Sequence, residues 1–411
     1  MRIVFHGINY SPEPIGIGPY TAQAAESLAR RGHEVAVVAA QPYYPQWAID
    51  SAYRGKGVQQ RVENGVAVTR TPLYVPPKPS GAKRVTHHLS FGLRSYRSLI
   101  RAMKAQPDIV ISVVPALLAS PAARLAARRA GAATWLHVQD FEVGAAFATG
   151  LIDSDGIAAR LALGFEKRAM RGFDGYSSIS PQMCALLGRV GDAPDRVIEV
   201  RNWAEAAVLE RPGDPAAYRA EFGVEARHVA LYSGNLANKQ GIGIIAEVAE
   251  RLAAREDLLF LVCGDGPGRE IIAAAAARLP NLRLEPLQPR ERLGDLLALA
   301  DVHLLPQRGG AADLVLPSKL TNMLASGRPV VATAVPGSGL AIEVEGAGIV
   351  TPPEDAEAMA TAVERLIDSP AARAESGATA RRYALERWSI DENINRLEAG
   401  LAAAVARRRR Q

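Results

Sequence analysis

Short runs rich in valine and isoleucine alternate with longer stretches of helical character along the whole chain. That alternation restricts the fold more than any other feature, because it is the pattern of a parallel sheet with helices on its faces. In the first half the runs predict strands near Arg2–His6, Val35–Ala39, Val66–Thr69, Ile109–Val113, Thr134–Val138 and Gly175–Ser178. In the second half they predict strands near Val229–Ser233, Leu258–Cys263, Leu282–Leu287, Val302–Leu305, Val330–Thr333 and Gly348–Val350. Tyr20–Arg31 reads as a helix ended by Gly32. A chain of 411 residues exceeds one ordinary domain, and the weakly patterned stretch Asn202–Pro215, with Pro212 and Gly213, reads as a hinge. The expectation is an α/β protein of two doubly wound domains, 1–201 and 202–387, with a C-terminal helix over 388–411 packing back onto the first.

Composition removes several classes. Met1–His6 is too short an apolar start for a signal peptide. The longest uncharged apolar run, Ile109–Ala123, contains Pro115 and Pro121 and falls short of a membrane span. Cys184 and Cys263 are distant in sequence, so a disulfide framework is not expected and a reducing cytoplasm is. Net charge is +5, unevenly spread. No acidic residue occurs from Asn64 to Pro107, where Arg70, Lys78, Lys83, Arg84, Arg94, Arg97, Arg101 and Lys104 accompany His87 and His88. Arg407–Arg410 form a second basic cluster.

Doubly wound sheets take ligands beyond the C-terminal ends of their strands, and four such ends are unusual. In GINYSPEPIGIGPYT, Gly16 and Gly18 precede a helix, where free N–H groups can receive an anion. In LHVQDFEVG, a strand delivers His137, Gln139, Asp140 and Glu142 to its end. LYSGNLANKQGIG ends a strand in Ser233-Gly234-Asn235 and sets Lys239 before a helix, poor for the helix but suited to clamping a diphosphate. The fourth is QRGGAADLVLPSKLTNMLASGRPVVAT. There Lys319 sits in a first helical turn, where the dipole disfavours a cation, and Asn322 interrupts the apolar stripe of Leu320, Met323 and Leu324.

The succession SGN–KQG, GDG (264–266) and GGAADLVLPSK–ASGRPVV resembles the C-terminal half of the family 4 retaining glycosyltransferases. GINYSPEPIGIGPYT, QPYYPQW, PLYVPPKPS and LHVQDFEV resemble the branch assigned as fucosyltransferases of colanic acid biosynthesis, and the similarity runs along nearly the whole chain. The resemblance implies the GT-B fold, two Rossmann-like domains facing a central cleft, with acceptor on the first and nucleotide sugar on the second. It implies a hexosyl- or glycosyltransferase (EC 2.4) that moves a sugar, L-fucose on this branch, from a GDP- or UDP-sugar to a polyprenyl-diphosphate-linked saccharide in exopolysaccharide synthesis. The donor would meet Gly16, Gly18, Ser233, Gly234, Asn235, Lys239, Gly264, Gly266, Gly310, Ala311, Asp313, Pro317, Ser318, Lys319 and Asn322; His137, Gln139, Asp140 and Lys239 would be catalytic.

The chain departs from the family at two points. Ser233-Gly234-Asn235 stand where many members carry a Gly-Arg pair. Of the two glutamates separated by seven residues, Asp313 lies one residue out of register with the first and Asn322 replaces the second. No cofactor is expected and the reaction is expected to be metal-independent, with cations and helix N-termini stabilising the leaving diphosphate; Asp153-Ser154-Asp155 reads as a solvated loop outside the donor site. The apolar stripe Val85, Leu89, Leu93, Tyr96, Leu99, Ile100 and Met103 beside Arg94, Arg97, Arg101 and Lys104 suits either an anionic membrane surface or a helix packed on its own sheet. Peripheral association with the inner face of the plasma membrane follows from the first. No nucleic-acid module accompanies the charge. The alternatives are another GT-B activity on a nucleotide sugar, such as an epimerase or sugar-phosphate transferase, and a non-catalytic nucleotide-sugar-binding partner in polysaccharide assembly.

Overall fold

The computed structural model describes residues 1–14, 16–78, 80–141, 156–211, 213–236, 240–309 and 316–410. It divides into two compact units, Met1–Arg201 with Asn393–Gln411, and Asn202–Glu392. The first holds β1 (Arg2–Gly7), β2 (Glu34–Ala40), β3 (Gln59–Glu63), β4 (Val66–Thr71), β5 (Ile109–Val114), β6 (Ala133–Val138), β7 (Gly175–Ser178) and β8 (Val197–Glu199). They form one sheet in the order β3-β4-β2-β1-β5-β6-β7-β8. All neighbours are parallel except β3 with β4. Two of these strands escape a sequence reading. β3, QQRVE, is a polar edge strand whose Val62 is 77% exposed, so no apolar alternation marks it. β8 is only three residues long.

The second unit holds β9 (His228–Ser233), β10 (Leu258–Cys263), β11 (Leu282–Glu285), β12 (Val302–Leu305), β13 (Val330–Thr333) and β14 (Gly348–Thr351). Their order is β11-β10-β9-β12-β13-β14, all parallel. β11 stops before Pro286, which has no N–H to give a ladder. In β9, Val229 and Leu231 enter one buried cluster while Ala230 and Tyr232 enter the other. A strand covered on both faces has no polar side, which is why these strands read as continuous apolar runs. The order reverses between β9 and β12, the place where such sheets take ligands.

The stretch read as a hinge belongs to the second unit. Ala206–Glu210 is helical, and Ala204 and Val208 are buried in the core with Trp388. Arg381 donates to the carbonyls of Val208, Leu209 and Ala325, and so ties the stretch to two helices. Trp388, at the end of the helix Pro370–Trp388, also explains why the second unit runs past the expected 387 to Glu392. The last helix, Ile390–Arg409, returns to the first unit from Asn393 onward. Asn393 Oδ1 accepts from the Arg201 N–H at 2.7 Å, and Glu398 meets Arg31 and His33. The terminal basic cluster is partly consumed in this docking: Arg407 donates to the Asp174 carbonyl and Arg409 to Asp108.

Gly400 lets that helix approach the sheet. A Cβ there would lie 2.8 Å from Trp135 Cη2 and 2.5 Å from Ile198 Cδ1, and Trp135 is buried and cannot retreat. Overpacking of this kind costs about 1–3 kcal/mol. Gly400→Val is therefore expected to lower the stability of the first unit by that amount in urea unfolding, and an unchanged midpoint would show that the helix is not seated on Trp135.

Candidate functional site

In the second unit, the turns that follow β9 and β10 are laced by backbone. Gly234 N–H donates to Cys263 O, Leu236 N–H to Asp265 O and Gly268 N–H to Leu236 O, each at 2.8 Å. The glycines permit this. A Cβ on Gly264 would lie 2.1 Å from the Gly234 carbonyl oxygen, and Gly266, at φ +139°, would set one 2.6 Å from Asn235 Oδ1. Gly234, Asn235, Gly264 and Gly266 are thus brought together, with Ser233 closing β9. Gly310, Ala311, Asp313 and Lys239 lie outside the described residues, as do Glu142, Asp153 and Asp155.

The helix after β12, Ser318–Ala325, starts at Pro317 with no side-chain cap. Lys319 reaches from its first turn across Gly234, where an added Cβ would come within 2.8 Å of Lys319 Cε. Its ammonium donates to the Tyr232 hydroxyl, to Asn235 O at 3.0 Å and to Gln240 Oε1 at 3.2 Å. It also stands 4.1 Å from the centre of the Tyr232 ring. Burial pushes the Tyr232 phenol far up its range, so it stays neutral and serves as a polar handle. Tyr232 in turn donates toward Asn235 O and Gln240 Oε1. Ring and oxygens together offset the dipole penalty that Lys319 would otherwise carry.

Asn322, expected among the donor contacts, is engaged within its own unit. Its Oδ1 accepts the Glu205 N–H at 2.8 Å, so what it can still offer is chiefly its amide hydrogens. Ser318 is exposed and Pro317 half-buried. Tyr232 and Gln240 were not legible as site residues, since a tyrosine inside an apolar run reads as core. Arg308 is a further such residue: it stands against the turn at Gly241, with Cγ 3.2 Å from where a Cβ would be.

In the first unit, His137 lies near the end of β6, and Gln139 and Asp140 follow the strand. Gln139 Nε2 donates to His137 Nε2 at 3.1 Å, which puts the imidazole proton on Nδ1, and Nδ1 donates to Ser177 Oγ at 2.8 Å. Burial lowers the His137 pKa to about 4. The ring is therefore neutral near pH 7 and occupied on both nitrogens, an orienting group for Gln139. Gln139 is buried, whereas Asp140 is exposed.

The glycine loop after β1 also differs from the anion site read from the sequence. Gly16, at φ +77°, packs on the Tyr44 ring, and a Cβ on Gly18 would lie 3.2 Å from Glu13 Cβ. Glu13 is 4% exposed. Its Oε1 accepts from the Tyr43 and Tyr44 N–H groups and its Oε2 from Asn9 Nδ2. Burial pushes the carboxyl up, and these donors oppose it. A carboxylate thus stands where an anion would have to approach. Among the described residues, no three His, Cys, Asp or Glu side chains group to hold a metal ion.

With this geometry in hand, comparison with known proteins gives the following. Residues 16–203 match the family model described as a glycosyl transferase 4-like domain, and residues 227–369 that of glycosyl transferases group 1. A protein of Escherichia coli (strain K12) assigned as the colanic acid biosynthesis glycosyl transferase WcaI is 40% identical over 409 residues, covering 96% of this chain and 98% of the relative. Sucrose-phosphate synthase from Thermosynechococcus elongatus superposes with TM-score 0.69 at 16% identity, over 99% of this chain and 100% of that one. HepE of Anabaena in complex with UDP gives TM-score 0.68 at 16% identity, over 98% and 100%. At such identities the last two speak for the fold alone.

His137 shares its lowered pKa with His6 and His87, each at about 4, and with His303 at about 3, all mainly by burial. The unfolded chain binds protons at these rings near the free value of about 6.5, and the folded chain does not. Stability contributed by the neutral rings is full above that value and lost as pH falls through it toward 4. Urea midpoints are therefore expected to fall over that window, and a flat profile down to about pH 5 would contradict the burial of these rings.

Proposed function

The chain belongs to the GT-B glycosyltransferase family that includes the colanic acid biosynthesis relative, and from that membership we propose a retaining transfer of a sugar from a nucleotide diphosphate to a lipid-linked saccharide in exopolysaccharide synthesis. L-Fucose is the sugar proposed, on the branch resemblance. The observation that carries the reading is Lys319, a cation held by Tyr232, Asn235 and Gln240 where the strand order reverses. HepE, which shares this fold, is seen with UDP and with UDP-glucose, and a nucleotide-sugar donor is proposed here by that analogy of fold.

In this reaction the anomeric carbon leaves a diphosphate oxygen and gains the acceptor oxygen on the same face. The acceptor proton passes to the departing phosphate. Negative charge grows on the diphosphate, and Lys319 with the uncapped helix N-terminus stabilises it without reorganising. Lys239, read from its motif alone, acts with it. Gln139, oriented by His137, and exposed Asp140 serve the sugar and the acceptor hydroxyl; the neutral, doubly bonded His137 is not the base.

The reaction is tested by incubating the protein with GDP- and UDP-sugars and following slow donor hydrolysis; no turnover with any donor would sink it. Lys319→Ala is expected to raise the barrier by about 2–4 kcal/mol with the fold retained. Wild-type turnover at subsaturating donor would remove Lys319 from the site.

The acceptor side rests on the helix Gly81–Met103. Its sequence stripe divides in two. Leu99 and Met103 join His87, Phe91 and Ser95 in the buried face, whereas Val85, Leu89, Leu93 and Ile100 are exposed, Leu93 at 78%. Exposed Arg94, Arg97 and Arg101 run beside that second stripe. Among the described residues no helix is long and apolar enough to cross a membrane. An in-plane helix with apolar side chains in the interface and arginines at the phosphates accounts for the exposed leucines. The protein is expected to co-sediment with anionic liposomes at low salt and release at high salt, since the attraction is screened over about 8–10 Å. Replacing Arg94, Arg97 and Arg101 with Gln should weaken this and reduce transfer more than donor hydrolysis. Unchanged sedimentation of the triple variant would make the helix a solvated face.

A further inference from the structure

One cavity of the first unit is lined by none of the groups so far assigned to the chemistry. It has a volume of about 290 Å³ and opens between the loops that follow β1 and β2, with Glu13, Tyr43, Tyr44, Ile49, Asp50 and Ser51 in its lining. Ligand sites generally span about 300–1,000 Å³, so its size suits one sugar ring and not a nucleotide. Its walls are held in advance. Glu13 joins them, accepting from Tyr43 and Tyr44 on one side and Asn9 on the other. The Tyr44 ring is backed by Gly16.

The lining has a definite chemistry. Two carboxylates, Glu13 and Asp50, face it, and its described lining contains no Lys, Arg or His. Asp50 Oδ1 accepts the Ala52 N–H at 2.8 Å, which leaves Oδ2 to accept a ligand hydroxyl. Tyrosine rings and Ile49 offer faces for the C–H side of a sugar. Such a lining attracts hydroxyl donors and repels phosphate or uronate.

The surroundings change character at once. Trp47, between the lining residues Gln46 and Ala48, carries the Arg84 guanidinium 5.4 Å from its ring centre. The His87 ring stands 4.6 Å from that of Tyr43. The first turns of the basic helix are thus packed on the cavity wall, and the exposed Val85 and Leu89 follow along that helix.

We propose that this cavity seats the terminal, uncharged sugar of the acceptor, with Arg84 beside it to meet the anionic group that links the sugar to its lipid. The word acceptor rests on the glycosyltransferase reading; sugar binding itself rests on the cavity. The two are separated by experiment. Saturation-transfer NMR on the full-length protein, without donor, uses methyl glycosides of neutral hexoses and 6-deoxyhexoses and a methyl glucuronide. Neutral glycosides are expected to bind and the glucuronide to bind at least about fivefold more weakly. Tyr44→Ala should weaken neutral binding about fivefold, the effect of one lost aromatic face, and Tyr44→Phe should restore it. Asp50→Asn, on the exposed rim, should weaken it without disturbing packing. Arg84→Gln should weaken a short-chain lipid-diphosphate-linked monosaccharide while leaving methyl glycosides as in wild type. Equal binding of the glucuronide, no binding of neutral glycosides, or wild-type binding by Asp50→Asn overturns the proposal. Donor hydrolysis by the wild-type protein judges the reaction separately, because the sugar titration does not depend on it.

Discussion

Parallel strands covered on both faces admit a polar side chain within their length only where it finds a partner, as His303 does in Ser326, and otherwise leave polar groups to their ends. That constraint governs the second unit, whose β9 feeds two separate buried clusters with alternate residues. Polar groups collect where the order reverses between β9 and β12, and there the turns must pack at backbone distance. The contact of Gly264 with the Gly234 carbonyl makes that possible. Lys319 then lies across Gly234 because no side chain blocks it. A larger residue at Gly234 would displace the lysine, and one at Gly264 would collide with the Gly234 carbonyl.

Lys319 shows how an unfavourable local choice is retained. A cation in a first helical turn opposes the dipole by roughly 0.3–1 kcal/mol. The Tyr232 ring and hydroxyl, with two further oxygens, offset that cost. The arrangement is preorganised: the ammonium is held as a fixed charge and not as a mobile side chain. His137 is preorganised in the opposite sense, kept neutral by burial and used on both nitrogens.

The corresponding loop of the first unit has inverted electrostatics. There the turn after β1 closes over Glu13, a buried carboxylate bound by three N–H groups. Glycines occur in both loops, yet one carries a cation and the other an anion at its centre. Glycine pattern alone therefore says little about ligand charge. The side chain that the glycine lets approach decides it.

The alternation of β and helical runs, by itself, determined two doubly wound sheets, because a strand buried on both faces must be apolar along most of its length. It determined Lys319 as anomalous, because dipole and stripe are properties of one helix. It did not reveal β3, whose polar residues follow no period, nor that Ala204 and Val208 are core, since that depends on Trp388, distant in sequence. Tyr232 and Glu13 were hidden for the same reason. Their roles come from partners on other segments, Lys319 for one and the Tyr43–Tyr44 backbone for the other. The apolar residues of the helix Gly81–Met103 look alike in sequence, but only the packing of Phe91 and Ser95 onto the sheet decides that Leu99 is core and Leu93 is surface. Period is local and can be read along a chain; which face is already covered depends on contacts between segments far apart.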